Sequence, residues 1–322
     1  MTEIYTLEQI QSAIKGMDFS PAIEEGFVQY SLGNVTVPPV GELVFDQPPG
    51  DTHIKYGYIQ NADTYVIKIA SGFYDNPKLG LSSNSGLMLV FSRQTGFLKT
   101  ILLDDGFLTD IRTAVAGRIC AAYLAPEKIT AIGVIGTGIQ ARMQVEYLST
   151  VTPVQKVYVW GRSGKHALAF QADLCAKGYD VSVMKTPAKV AENCNLIITA
   201  TPSKQPLLFE KEIKTGTHIT AMGSDTSEKQ ELDPQILKRA EILVADSRSQ
   251  CRSRGEISRA LAAGTVTEEK IIELGEIIHR PEKINRTENC ISVADLTGVA
   301  VQDVQIATAV CRVFENKGKQ GE

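Results

Sequence analysis

No two cysteines in this 322-residue chain are spaced as CxxC; Cys120, Cys175, Cys194, Cys251, Cys290 and Cys311 are scattered. That pattern points to reduced, mostly buried thiols in a cytoplasmic protein. The four histidines are equally dispersed and show no metal-ligand spacing, so no metal site is expected. A basic tract is missing too, and the net charge of −4 argues against general nucleic-acid binding. No uninterrupted apolar run approaches a membrane span, and the opening MTEIYTLEQI lacks the basic region and apolar core of a signal peptide. Internal repeats and low-complexity segments are absent. What remains is a soluble globular composition, 43% hydrophobic and 22% charged, in a chain long enough for two domains.

The most informative stretch runs from Lys128 to Tyr147, KITAIGVIGTGIQARMQVEY. An apolar run through Ile129, Ile132, Val134 and Ile135 reads as a strand. The chain then turns through Gly136, Thr137 and Gly138, and Ile139, Met143 and Tyr147 recur at helical spacing. Gly136 permits the tight turn, Gly138 lets a pyrophosphate approach the backbone, and Ala141 lets helix and strand pack closely. The helix start then faces the phosphates with its N–H groups and positive dipole end. Gly136, Thr137, Gly138, Ile139 and Gln140 are therefore the candidate dinucleotide contacts. Strand-like runs at 129–135, 156–160, 180–184, 195–200, 218–222 and 242–245 alternate with helical stretches such as 163–177. This implies βαβ units and a doubly wound parallel sheet of the α/β class.

The first third reads differently. Residues 6–33 are helical, with Leu7, Ile10 and Ile14, then Ile23, Phe27 and Tyr30, closing at Gly33. Short strands follow at 41–45, 52–59, 64–71, 86–92 and 97–103, separated by turn residues. The period-2 rule separates Lys55 from Ile54 and Tyr56, and Lys68 from Ile67 and Ile69, so each strand is expected to aim a cation away from its apolar face. Thr109 is the expected N-cap of a helix through Leu124, with Ile111, Val115 and Ile119 on its core face. Arg112 then lies in the first turn, where the dipole disfavours a cation unless an anion meets it. A last helix, starting near Ala300, is expected to return to the first domain. The boundaries are thus 1–125 with 295–322 for one α+β domain, and 126–294 for the dinucleotide-binding domain.

In doubly wound folds the residue ending the second strand selects the cofactor: a carboxylate for the ribose of NAD, an arginine for the 2′-phosphate of NADP. VYVWGRS places Arg162 and Ser163 there and no acid. NADP is favoured, with NAD use open; a solvated loop arginine is the plain alternative. Ligands of such sheets collect beyond the C-terminal strand ends, where Asp225, Thr199, Thr201 and Ser203 fall. Asp225 can manage a proton there, or simply cap a turn.

GVIGTGIQARMQ, LTDIRTAVAGRICAAYLA, YVIKIASGF, ITAMGSDTSEKQELD and LTGVAVQD resemble, in the same order, the segments of the ornithine cyclodeaminase/μ-crystallin family. The resemblance spans nearly the whole chain. It implies a homodimer with an N-terminal substrate-binding and dimerisation domain and a Rossmann domain. It also implies hydride transfer between a nicotinamide and the α-carbon of an amino or imino acid. By position it makes Lys68 and Arg112 ligands of the substrate carboxylate and Asp225 the acid/base residue, with Lys68 also in the catalytic set. It puts Gly298, in the LTGVAV turn, near the nicotinamide.

Two departures stand out. Gly41 occupies the place of a further carboxylate-binding arginine. Lys55 falls where ornithine cyclodeaminases carry a glutamate for the distal amine. A lysine there repels that amine. It can instead complete the carboxylate clamp, bind a second carboxylate, or stand as a solvated strand lysine. The pattern looks closer to the branch of ectoine-utilisation proteins and iminosuccinate reductases. An imino-acid reductase, with iminosuccinate ahead of Δ1-pyrroline-2-carboxylate, is the leading expectation. A cyclodeaminase forming proline, or a μ-crystallin-like binding protein, are the alternatives.

Overall fold

The structure, a computed structural model, describes residues 2–73 and 75–320. The chain forms two compact units, Met1–Arg112 with Val299–Glu322, and Thr113–Gly298. They divide inside the helix Phe107–Leu124 rather than after it.

In the first unit a seven-stranded sheet is built from β1 (Glu3–Thr6), β2 (Val35–Thr36), β3 (Gly41–Phe45), β4 (Gly50–Ile59), β5 (Thr64–Phe73), β6 (Asn84–Ser92) and β7 (Leu98–Leu103). The order is β1-β7-β6-β5-β4-β2, with β3 also on β4; all pairs are antiparallel except β1 with β7. Leu7–Ala13 starts with a Thr6/Gln9 capping box, which satisfies two otherwise unpaired donors. The helices Ser20–Ser31 and Val301–Gln320 pack on each other, and the second covers β4 and β5. Gly26 makes this approach possible: a Cβ there would lie 2.8 Å from Gln305 Cγ.

The covered face corrects the expectation for the strand lysines. Lys55, Lys68, Val66, Met88, Val90 and Leu102 are all buried on it. The cations thus point into the core face. The apolar alternates, Ile54, Tyr58, Tyr65, Ile67, Ile69 and Leu89, are only half-buried, and Tyr56 is exposed. The pleat was readable, but which side is roofed depends on a helix 240 residues onward, roughly, in a chain of local patterns.

The helix after β7 begins at Phe107, two residues before the expected Thr109 cap. Asp104 does the capping: its Oδ2 accepts from Leu108 N at 2.9 Å, and Asp105 and Gly106 turn the chain at φ 49° and 85°. Arg112 consequently sits in the second turn.

The second unit is a parallel sheet of eight strands: β8 (Ile132–Ile135), β9 (Lys156–Trp160), β10 (Asp180–Val183), β11 (Leu196–Thr199), β13 (His218–Ala221), β15 (Ile242–Ala245), β16 (Ile271–Glu273) and β17 (Ser292–Asp295). Their order is β10-β9-β8-β11-β13-β17-β15-β16, a doubly wound α/β arrangement. A small parallel pair, β12 (Lys204–Leu208) with β14 (Gln230–Leu232), stands apart. The core strands β8, β11, β13, β15 and β17 are buried along their whole length. The polar ends of β17 hid it from pattern reading, yet it lies between β13 and β15, where Ser292 Oγ meets His218 Nδ1 at 2.8 Å.

All six cysteines are free thiols; four are buried, Cys311 is half-buried and Cys175 is exposed. Among the described residues no helix is long and apolar enough to cross a membrane.

Candidate active site

In the first unit, β4, β5, Phe107–Leu124 and Val301–Gln320 converge on a buried charge cluster. Lys55 and Lys68 are direct cross-strand partners, 7% and 2% exposed. Lys68 Nζ lies 3.2 Å from Asp303 Oδ2, and Arg112 Nε donates to Asp303 Oδ1 at 3.0 Å. Gln302 Oε1 accepts from Arg112 at 3.4 Å. Burial pushes the Lys68 ammonium down to about 7; Asp303 opposes this, while Arg112 and Lys55 add to it. Burial alone would raise the Asp303 carboxyl, but Lys68, Arg112 and Lys55 outweigh it and hold it below the usual carboxylate range. Asp104, at the edge of this group, is raised to about 6, chiefly by burial. Lys68 and Arg112 share Asp303 beside buried Lys55, and such a group of cations suits a further anion, because a carboxylate offsets mutual repulsion that little water screens. Sequence reading placed Lys55, Lys68 and Arg112 but missed Asp303, which looks like an ordinary acid in a helix first turn. Gly41 pairs with Ile54 on β3 and offers no side chain.

In the second unit a cleft of about 370 Å³ opens beside the glycine turn. Its lining includes Gly136, Thr137, Gly138, Trp160, Arg162, Ser163, His166, Thr201 and Ser203. Gly136 has φ 129°, and a Cβ on it would lie 2.5 Å from Ala200 O, so only glycine fits. Gly138 caps the helix Ile139–Leu148, and a Cβ there would meet nothing within 4 Å. A side chain at Gly138 would project into open space. These features fit a dinucleotide pyrophosphate at a helix start. Ile139 and Gln140 form the first helical turn and are not among the residues lining the cleft; the start of a helix leaves its first backbone N–H groups without intrahelical partners.

Arg142, which sequence reading passed over, bonds the carbonyls of Thr137 and Gly138 and pairs with Asp173 at 2.8 Å, bracing the turn from behind. Ser163 caps Gly164–Cys175 by accepting from His166 N at 3.4 Å, so its hydroxyl has a structural task as well. Thr199 is fully buried at the end of β11, and the cleft lining includes Thr201 and Ser203 but not Thr199. Gly298 adopts φ 80°, and its N–H donates to Asp246 Oδ2 at 2.6 Å, so the turn itself requires glycine. Asp225, half-buried beyond β13, pairs with Lys229 Nζ at 2.6 Å, while Arg254 reaches its carbonyl at 3.3 Å.

The sequence pattern of the ornithine cyclodeaminase/mu-crystallin family matches residues 1–318. An uncharacterised cyclodeaminase of Sinorhizobium fredii is 37% identical, over 94% of this chain and 92% of its own. Iminosuccinate reductase of Paracoccus denitrificans is 33% identical over 80% of each chain. Among solved structures, an archaeal alanine dehydrogenase dimer with bound NAD superposes with a TM-score of 0.90 at 32% identity, over 98% of this chain and 97% of that one.

Proposed function

The chain belongs to the ornithine cyclodeaminase/mu-crystallin family, and we propose that within it this protein is an NAD(P)H-dependent reductase of a small α-imino acid, iminosuccinate being favoured. In the reverse direction it works as an amino-acid dehydrogenase. The observation that carries this reading is the buried Lys55–Lys68 pair with Arg112 at one carboxylate, Asp303. Lys68 and Arg112 hold the α-carboxylate and so fix the imine carbon. Lys55, beside Lys68, takes the second carboxylate of a dicarboxylic substrate. Asp225 keeps the imine nitrogen protonated, which makes the carbon a better hydride acceptor. Bound in the glycine cleft, the nicotinamide cofactor supplies the hydride or, in the reverse direction, accepts it. Arg162 in that cleft, with no carboxylate among the lining residues, supports NADP over NAD.

A homodimer is part of the proposal. The outer face of the first-unit sheet is apolar and half-buried, with Tyr65 stacked on Phe91 at 4.8 Å, as an isologous interface would be. The alanine dehydrogenase relative is described as a dimer. Six free thiols support a reducing, cytoplasmic setting.

The cyclodeaminase reading has the Sinorhizobium relative in its favour. Lys55 weighs against it, since the distal ammonium of ornithine would meet a buried cation. One assay series separates the two. NADPH oxidation is followed with oxaloacetate plus ammonium, pyruvate plus ammonium, and Δ1-pyrroline-2-carboxylate, and ammonia release is followed with ornithine plus NAD. Fastest oxidation with the oxaloacetate mixture is the expected result. Silence on every imine, with ammonia from ornithine, overturns the reductase.

A further inference from the structure

Glu231 has no part in the chemistry just described, and its carboxylate is fully buried. Its Oε1 accepts from both the N–H and the hydroxyl of Thr201, each at 2.7 Å, and its Oε2 accepts from Gly223 N at 3.0 Å. Thr201 follows β11 and lines the cofactor cleft; Gly223 follows β13 and stands two residues before Asp225. The strands β11 and β13 are hydrogen-bonded neighbours, so one carboxylate bridges the ends of both. The fit is close: a Cβ at Gly223 would lie 2.3 Å from Thr201 O and 2.5 Å from Glu231 Oε2.

Glu231 is itself fixed. Its N–H and that of Leu232 donate to Glu256 at 2.7 and 3.0 Å, and Glu256 is also buried. Burying a carboxylate is costly, and a bulky apolar residue would serve packing more cheaply. Three donors offset that cost and, in exchange, hold two loops in one geometry.

We propose that Glu231 is a positioning residue that ties the cofactor wall at Thr201 to the loop bearing Asp225, setting their mutual geometry. Its activity readout rests on the reductase reading above. Glutamine tests it because an amide has one acceptor oxygen. If that oxygen keeps Thr201, the NH2 faces the Gly223 N–H; turned over, it loses Thr201. Either way one of the two loops is released.

Glu231→Gln is compared with Glu273→Gln, another buried carboxylate, which accepts from Arg248 N at 2.9 Å and bonds neither Glu231 nor the two loops. The measurements are Tm, NADPH Kd by fluorescence, kcat at saturating cofactor, and amide exchange over residues 222–226. Glu231→Gln is expected to lower kcat by about tenfold or more and to speed exchange in that segment by about tenfold, with NADPH Kd within about threefold of wild type. Glu273→Gln is expected to lower Tm while keeping kcat within about twofold. Wild-type kcat and exchange in Glu231→Gln overturn the proposal whatever the Tm. So does an equal kcat loss in Glu273→Gln, which would mean general loosening. If Glu231→Gln does not fold, Thr201→Val removes one donor at constant volume; faster exchange over residues 222–226, on the other loop, supports the proposal and unchanged exchange there overturns it. If the wild-type protein reduces no imino acid, the reductase reading falls, and the exchange comparison alone decides on Glu231.

Discussion

Lys55 and Lys68 face each other directly across β4 and β5, on the same side of the pleat and both nearly out of solvent. Like charges opposed in this way destabilise a sheet by a few tenths to about 1 kcal/mol, more when desolvated. Replacing Lys55 by methionine should therefore do two opposite things. The ligand-free protein should gain about 2 °C in Tm, and KM for a dicarboxylic imino acid should rise by about tenfold or more. Calorimetry and steady-state kinetics check both. An unchanged ratio of iminosuccinate to pyruvate-imine activity would remove Lys55 from the substrate site.

The Lys68 ammonium, lowered from 10.5 to about 7 by burial, makes substrate binding pH-dependent. Only the protonated form attracts a carboxylate, so KM should climb by up to about tenfold per pH unit above about pH 7. For stability the sign is fixed by the lowered value. The folding penalty for the buried ammonium is complete below about pH 7 and fades as pH rises toward 10.5. Lys68→Met should thus be more stable than wild type at pH 6, with the advantage shrinking by pH 9. Denaturant titrations at the two pH values test this; a gap that does not narrow contradicts it.

Two glycines of one turn should fail in different ways. Gly136→Ala forces a left-handed alanine toward Ala200 O and should cost about 1–3 kcal/mol of stability. Gly138→Val puts its Cβ where no protein atom lies within 4 Å, so it should cost about 1 kcal/mol as a poorer cap. It should still weaken cofactor binding by about tenfold or more by filling the phosphate space. Thermal melts and cofactor titrations of both variants separate these effects.

Arg162→Asp should move the preference from NADPH toward NADH by about tenfold or more in the ratio of kcat/KM values. The same ratio in wild type and variant would leave Arg162 a solvated loop residue.

Ile67→Asp places a charge in the half-buried outer sheet face and should yield monomers at micromolar protein concentration, read by light scattering. A dimer of unchanged affinity would move the interface elsewhere.

Much of this was legible in the sequence because local patterns carried it. The strand–glycine–helix run at 132–148 and the lysine strands lie where the apolar periods put them. Errors arose where a distant residue decided the outcome. The roof over Lys68 comes from Val301–Gln320, so the pleat alone named the two faces correctly but assigned the wrong one to the core. β17 escaped notice because Ser292 and Asp295 are polar, although burial on both sides is enforced by its neighbours β13 and β15. Asp303 was hidden by its own ordinariness: an acid in a helix first turn needs no partner to be explained.

The bond between Arg112 and Asp303 joins residues 191 positions apart. During synthesis the ribosome delivers Arg112 and both lysines first and their anion 191 residues after Arg112. At about 5–20 residues per second, those buried cations wait roughly ten to forty seconds for the helix that neutralises and covers them. The unit Thr113–Gly298 has emerged by then, so the two units mature in the reverse of the order in which they begin. A nascent chain with only the residues before 301 outside the exit tunnel would carry a finished dinucleotide fold and an open, positively charged sheet. That sheet is the face on which chaperone capture during translation should fall.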